Sequence, residues 1–431
     1  MKSISHVYES LLTPENLELA ILSASKNKSQ KSRTTQEHIE WIKLHKEEAI
    51  AHMQAELTAF ANDPSNVKIF DHHSPVLIHD LSCNKDRVIV KPPFLYEQIY
   101  HHAIIQVIED IIMRGMYIYN CASIPNRGGT YGKEALEKFI EKHPEKCKYY
   151  LKMDIHHFFQ SIDHIIMINL LARYIKDNVF LALVFQLIQS YEDSPDKGLP
   201  IGYYTSQWFA NWYLQAFDHF VKEQLFAPFY IRYMDDMVIL GPNKRELWKM
   251  LISIQEYLAS IGLCLNDKTA INKLNDKPID FMGYLFYFGH TGLRKNIMIH
   301  ATRIAGRIGH NGYDYLNSCR ELSLLGWIER TDSYNVYLKY IKPNVDVKRL
   351  KQEVSKHARD EKIKKRIEYL QQKVIEERED MKIVYSEMEY SGLLACYRAE
   401  GEKLDSPEDL IGPCEMELNN LLEYVNNRQP Y

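Results

Sequence analysis

The chain has 431 residues, 45% hydrophobic and 26% charged, the balance of a globular protein with room for two to four domains. Its 18 glycines and 16 prolines are too few for collagen-like or low-complexity classes, and no run approaches 18 uninterrupted apolar residues, which argues against a helical membrane span. Met1 to Ser10 lack the charged-then-apolar pattern of a secretory signal, and seven scattered cysteines without a C-x-x-C pair fit a reducing cytosol better than a disulfide framework or a structural zinc site. The formal net charge is −4, but Glu379 to Tyr431 hold 12 acidic and 4 basic residues, a local −8, so residues 1–378 carry +4. A mildly basic body can hold a phosphate backbone in a local groove, while the acidic end reads as solvated helix.

Residues 1–65 read as helical. Thr13-Pro14-Glu15 supplies an N-cap, a proline at the first helical position and an acid in the first turn. A polar, basic break at Lys26 to Thr35 separates this from a second helix over about Gln36 to Ala61, stopping near Asp63-Pro64. Strand-like runs follow at Val67–Phe70, Pro75–Ile78 and Arg87–Val90. Apolar residues recur at helical spacing from Leu95 to Met116. Lys148 to Ile155 is a short strand entering a helix, and helical patterns fill 164–190, 206–224 and 244–261. The runs Phe229–Tyr233 and Met237–Leu240 predict a β-hairpin with Asp235-Asp236 at or beside its turn. Strand patterns at 263–272 and 279–287 precede a tail that is helical beyond Arg294.

Three acids stand out at predicted strand ends: Asp154 in Leu151-Lys-Met-Asp-Ile-His-His-Phe-Phe159, and the pair in Tyr233-Met-Asp-Asp236. Carboxylates that close repel, and one tends to protonate unless a cation compensates. Mg²⁺ favours carboxylates together with substrate phosphates, and two such ions can activate a 3′-hydroxyl and stabilise leaving pyrophosphate. A lone Asp-Asp in a turn is ordinarily structural; its company here is not ordinary. Between the acids lies Gly198-Leu-Pro-Ile-Gly202-Tyr-Tyr-Thr-Ser-Gln207, a glycine-bracketed turn that lets backbone approach a nucleotide.

This set resembles the palm of a reverse transcriptase, in the prokaryotic lineage of group II intron, diversity-generating-retroelement and defence-associated enzymes. Asp154-Ile with Phe159 resembles motif A, Gly198–Gly202 with Thr-Ser-Gln207 motif B, Tyr233–Asp236 motif C and Leu263–Thr269 motif D. Ile279–Leu285 resembles the strand that grips the primer, and Arg87-Val-Ile-Val and Ser123–Thr130 resemble the two finger motifs. The resemblance spans about 85–345. It implies an α+β right-hand polymerase fold: an N-terminal helical extension over 1–65, fingers over 66–150, palm over 151–290, a helical thumb over 291–378 and an acidic helical segment over 379–431.

The resemblance also implies roles. Asp154, Ile155, Asp235 and Asp236 would hold two Mg²⁺ ions, with Mn²⁺ as a substitute. Phe159 would be the steric gate against a ribose 2′-OH. Arg87 would reach the incoming triphosphate, and Ile201, Gly202 and Gln207 would line the nucleotide site. Lys268 would protonate pyrophosphate, and reads equally as a solvated turn lysine. Arg127 would contact template phosphate or brace its own turn, and Gly283 would meet the primer. Lys364, Lys365 and Arg366, in a basic helix of 11 basic and 6 acidic residues over Lys348–Arg378, would track the duplex or be a solvated face. Lys26 to Arg33 would meet structured RNA. The pairs His72-His73, His101-His102 and His156-His157 make poor metal sites, because adjacent side chains face different ways.

Two departures from the commoner pattern are Ile201, where many relatives have Gln, and Gln207, where group II intron and retron enzymes usually have Pro. An aliphatic residue cannot hydrogen-bond near the nucleotide sugar, so low fidelity is expected. The expected activity is RNA-directed synthesis of DNA from dNTPs on an RNA template, perceived as a dedicated noncoding RNA, in the bacterial cytoplasm and in antiphage defence. A diversity-generating retroelement is the alternative, and a catalytically inactive RNA-binding scaffold a minor one. A homo-oligomer or an accessory protein fits either setting, and no membrane partner is expected.

Overall fold

A computed structural model describes residues 3–26, 28, 32–80, 85–390, 406 and 412–426. The chain divides into two units, Met1–Gly292 and Leu293–Tyr431, taken separately below.

The first unit opens with helices α1 (Val7–Leu11), α2 (Pro14–Ser25), α3 (Arg33–Leu44) and α4 (Lys46–Asn62). The Thr13 hydroxyl accepts the Asn16 N–H at 3.3 Å, with Pro14 behind it, as the capping signal predicts. The helix expected over Gln36–Ala61 is instead two helices. At His45 the backbone leaves the helical region (φ −124°, ψ 40°), and the imidazole stacks on Trp41 (4.9 Å) and lies 3.0 Å from the Trp41 carbonyl. With no Gly or Pro there, periodicity runs through the break unseen.

Strands β1 (Val76–Asp80) and β2 (Lys85–Ile89) pair antiparallel and lead to α5 (Ile99–Arg114) and α6 (Gly129–Lys142). Val67–Phe70, expected as a strand, is irregular. A side chain takes the place of a strand partner: Gln186 Oε1 accepts the N–H groups of Ile69 (2.7 Å) and Phe70 (3.2 Å), and its Nε2 donates to the Val67 carbonyl (2.9 Å). That glutamine lies more than 100 residues away, so no local pattern encodes it.

Next come β3 (Tyr149–Asp154), α7 (Phe158–Ser161), α8 (His164–Ala172), α9 (Asn178–Gln189), α10 (Tyr204–Tyr213), α11 (Gln215–His219), β4 (Phe229–Tyr233), β5 (Asp236–Gly241), α12 (Lys244–Ser260) and β6 (Ala270–Lys273). The strands form one antiparallel sheet in the order β4-β5-β3-β6. In β5 Met237, Val238, Ile239 and Leu240 are all buried, the continuous run of a central strand covered on both faces. Helix α12 packs across β3, β5 and β6, and α10, buried nearly all round, packs on α5 and α8. The strand expected over 263–272 is confined to β6. Its first half makes one bridge, Leu265 to Ile155, and then turns at Asn266, whose N–H donates to the Asp154 carbonyl at 2.7 Å. Strands β7 (Ile279–Phe281), β8 (Tyr284–Tyr287) and β9 (His290–Leu293) form a second small sheet. Met282 and Gly283 make its tight turn, both at positive φ (52° and 87°), the requirement of a two-residue hairpin loop.

The second unit is helical: α13 (Lys295–Asn311), α14 (Tyr315–Ile328), α15 (Tyr334–Val336), α16 (Val347–Tyr390) and α17 (Pro413–Asn426). In α13 Ala301, Ile304, Ala305 and Ile308 form one buried stripe at helical spacing. Helix α16 runs without interruption through residues 378 and 379, where the charge balance changes sign. Helix α17 lies along it, and Glu377 accepts the N–H groups of Cys414 and Glu415 at 3.0 Å each, an acid capping a helix start.

Gln186→Ala is expected to lower stability by about 1–3 kcal/mol, because it strands the backbone groups of residues 67–70; urea unfolding of the two proteins measures it.

Candidate active site

Sheet register brings the three acids together. Asp154, the last residue of β3, is the cross-strand partner of Asp236, the first of β5. Tyr233 pairs with Asp236 across the β4–β5 hairpin, so Met234 and Asp235 are its two-residue tip. Met234 sits at φ +58°, a left-handed value a methionine rarely adopts. Two contacts hold it there. Arg232 Nη1 donates to the Met234 carbonyl at 3.0 Å, and the Ile155 N–H donates to the Asp235 carbonyl at 3.3 Å.

Arg232 is fully buried. Its guanidinium grips Asp218 of α11 through Nε to Oδ1 (2.8 Å) and Nη2 to Oδ2 (2.5 Å) and also donates to Asn211 Oδ1 (3.1 Å). Tyr230 Oη donates to Asp218, Asn120 Nδ2 to Asn211 Oδ1, and Asn211 Nδ2 to the Ala122 carbonyl. The hairpin is therefore tied to α10, α11 and the 117–124 loop. The sequence reading passed over Arg232 inside an apolar run. An arginine among residues otherwise destined for burial was the available signal.

The site's electrostatics follow from crowding. Burial, then the charge of Asp154, pushes Asp235 up to about 6, against weaker opposing effects of Arg232 and Arg87. Burial pushes Asp236 up to about 7, with Asp154 and Asp235 adding to it and Lys152 opposing it. Lys152 Nζ lies 3.5 Å from Asp236 Oδ2 and also donates to the Asp280 carbonyl. Asp236 Oδ1 is buried without a hydrogen-bond partner, and Asn266 Nδ2 donates to Asp154 Oδ2 at 3.3 Å. Lys152 and Asn266 were also missed. Three carboxylates crowded together, two of them with raised proton affinity and one with an orphaned oxygen, are a donor set that fits hard divalent cations.

The other expected residues fall around this cluster or apart from it. Phe159 is half-buried in α7, the single helical turn after β3, and its carbonyl accepts the Leu199 N–H at 2.8 Å. Ile201 accepts the Val90 N–H at 2.8 Å, so the 198–202 turn docks on the end of β2. Gly202 has φ +120°, and a Cβ there would fall 2.1 Å from the Val90 carbonyl oxygen; only glycine fits. Gln207 is exposed on α10 and, with Gly202, Val90 and Lys28, lines a cleft of about 800 Å³. Arg87 is exposed on β2, close enough for its charge to reach Asp235. Lys268 is exposed, and its N–H donates to Asn266 Oδ1. Arg127 donates to the Tyr117 carbonyl at 2.7 Å, the turn-bracing contact of its two readings. Gly283 is in the β7–β8 turn; the neighbouring Met282 Sδ would lie 2.7 Å from a Cβ on Gly132 of α6. In the second unit Lys364 and Lys365 are exposed on α16, whereas Arg366 is bound to Glu417 of α17 at 2.8 and 2.7 Å. Half of Lys26–Arg33 lies outside the described residues.

An antiparallel sheet presenting three acids at adjoining strand ends, backed by helices, defines a right-hand polymerase palm. Residues 79–286 match the family model described as "Reverse transcriptase (RNA-dependent DNA polymerase)". The chain carries a reverse transcriptase domain, the domain of RNA-directed DNA polymerases. Among solved structures it is similar to telomerase from Candida albicans in complex with a fragment of telomeric RNA (13% identity, 67% of this chain and 58% of that chain, TM-score 0.40). It is also similar to apo telomerase from Candida tropicalis (11% identity, 68% and 63%, TM-score 0.42). The chain thus spans about three-fifths of the telomerase chains it matches. No curated protein matches it.

The metal-free protein is expected to lose stability as pH rises. Both raised carboxyls bind protons more tightly folded than unfolded, so their contribution is complete below about pH 4 and is lost as pH climbs through about 6 to 7. Unfolding in EDTA should show a loss on the order of 2 kcal/mol between about pH 5 and 8, reduced in Asp236→Asn.

Proposed function

We propose that the protein is an RNA-directed DNA polymerase that extends a 3′-OH with deoxynucleotides on an RNA template. The observation that carries this reading is the convergence of Asp154, Asp235 and Asp236 at paired strand ends within a reverse transcriptase domain. Those carboxylates, with the Ile155 main chain beside them, would hold two Mg²⁺, and the bound ions would supply Lewis-acid activation of the 3′-hydroxyl and charge neutralisation at pyrophosphate. The chain's own residues do the positioning. Arg87 offsets triphosphate charge. Gly202 lets backbone approach the nucleotide, Ile201 and Gln207 border it, and Phe159 fills the space of a ribose 2′-OH. Lys268 is the proton donor to pyrophosphate. Gly283 meets the primer and Arg127 a template phosphate; separately, in the second unit, Lys364 and Lys365 contact backbone phosphate. Arg366 joins them only by leaving Glu417.

The template is a dedicated noncoding RNA, and the setting is bacterial antiphage defence, a reading supported by the acidic segment after residue 378 as a surface for an accessory protein or second copy. Ile201 favours a second setting, the error-prone enzyme of a diversity-generating retroelement. Sequencing the nucleic acids that copurify with the protein separates them: a template from a repeat with a variable target gene supports the retroelement. No incorporation by wild type, with RNA still tightly bound, supports an inactive scaffold instead.

Primer extension on RNA with Mg²⁺ and dNTPs tests the activity. Asp235→Asn is expected to lose on the order of 100-fold or more of incorporation, with RNA binding retained. Phe159→Ala is expected to raise ribonucleotide use relative to deoxynucleotide by about tenfold or more. Ile201→Gln is expected to reduce misincorporation opposite adenine; an unchanged error spectrum sinks the fidelity argument.

A further inference from the structure

Away from the palm acids, the connection between α9 and α10 carries a second group of metal-ligating side chains. His164, the first residue of α8, is fully buried. Its Nε2 lies 2.8 Å from the Gly198 carbonyl oxygen. A carbonyl only accepts, so the proton is on Nε2 and the neutral ring carries its lone pair on Nδ1. That Nδ1 is buried and has no hydrogen-bond partner. A ring nitrogen of His164 and carboxylate oxygens of Glu192 and Asp196 all lie within 4.8 Å of one another; with Nε2 engaged by Gly198, Nδ1 is the nitrogen left to bind. Neither acid makes an ion pair with the ring, and both are exposed.

The backbone prepares this arrangement. The His164 N–H donates to the Asp196 carbonyl (2.9 Å), the Gly198 N–H to the Ile162 carbonyl (2.9 Å), and the Asp193 N–H to the Lys197 carbonyl (2.9 Å). Asp196 is held at φ +57°, and Gly198 at φ +116°, where a Cβ would meet the Asp193 nitrogen at 2.9 Å. The loop is thus folded against the start of α8 with its acids over the buried ring.

We propose that His164 Nδ1, Glu192 and Asp196 bind one Zn²⁺ ion, with water completing the coordination. One imidazole nitrogen with two carboxylates suits a borderline metal in a four-coordinate site. Mg²⁺ demands an octahedral shell of oxygens and gains little from a buried nitrogen. The ion pins the 191–198 loop to α8. The same loop continues into Leu199, whose N–H holds the Phe159 carbonyl, so the clasp fixes the spacing between the Phe159 turn and the 198–202 turn. The inference concerns a site apart from the palm acids, and its readout is metal content, so it stands or falls independently of polymerase activity.

The test starts with full-length protein stripped by EDTA and moved into millimolar Mg²⁺, which occupies hard-oxygen sites. Equimolar Zn²⁺ is added, unbound metal is removed by gel filtration, and retained zinc is measured by mass spectrometry. Wild type and Asp235→Asn should each retain one zinc per chain. Glu192→Gln/Asp196→Asn should lose it, with affinity lower by on the order of 100-fold. Asparagine tolerates the left-handed backbone at 196, so the metal-free variant should melt with metal-free wild type. If it melts early, Glu192→Gln alone replaces it and must still weaken retention. Absence of zinc from wild type, undiminished zinc in the variants, loss of zinc in Asp235→Asn or displacement of zinc by Mg²⁺ each overturns the assignment.

Discussion

Beneath the β4–β5 hairpin a charge pair sits out of reach of water, and the geometry of the candidate site depends on it. Arg232 and Asp218 are both fully buried and meet through two parallel hydrogen bonds, the fork geometry in which arginine binds carboxylate best. Such a pair contributes little net stability relative to well-packed apolar residues, yet removing one partner leaves an uncompensated charge, a loss of about 3–5 kcal/mol. Its value here is positional. The guanidinium has donors left over, and they go to Asn211 on α10 and to the Met234 carbonyl at the hairpin tip. One side chain therefore sets the height of Asp235 above the sheet and the hairpin's distance from the helix that follows the 198–202 turn.

That precision is needed because the arrangement is unfavourable in itself. Like charges on directly opposed strand positions destabilise a sheet, and register places Asp154 opposite Asp236 with Asp235 at the adjoining tip. The consequence is written in the raised affinities of Asp235 and Asp236 for protons. Lys152 and Asn266 relieve part of it, but Asp236 still keeps an oxygen with no partner. A sheet selected for stability alone would place an apolar residue or a threonine at one of these positions. The cost is concentrated where cations would remove it.

Much of this was legible in the chain because its signals are local. The apolar runs on either side of Asp235-Asp236 foretold the hairpin, Thr13-Pro14 foretold the start of α2, and the strand-to-turn passage at Asp154 followed from Leu151–Phe159. The resemblance of the motifs to a reverse transcriptase palm added the pairing of Asp154 with the hairpin, which no spacing could give. What escaped depends on partners far off in sequence. Gln186 replaces a strand for residues 67–70, Asn266 turns a predicted strand aside to reach Asp154, and Asp218 makes sense of Arg232 only once α11 is packed. Nothing near His164 in sequence signals that the Gly198 carbonyl, 34 residues on, engages its Nε2.

The second unit shows why a net charge says little about local charge. Helix α16 carries the basic excess, yet part of it is matched within the same unit: Arg366 binds Glu417 and Arg378 binds Glu415 of α17. The Arg366–Glu417 pair is exposed on both sides and the Arg378–Glu415 pair on the arginine side, so both are weakened by salt and the first is worth little in water. A polyanion lying on α16 would compete with the α17 carboxylates for the same guanidinium groups. It would do so at small cost, because an exposed ion pair gives up little when it opens. The acidic segment thus lowers the chain's overall charge without permanently removing the basic face. The local charge of α16, partly matched by α17, is therefore something the formal −4 of the whole chain does not report.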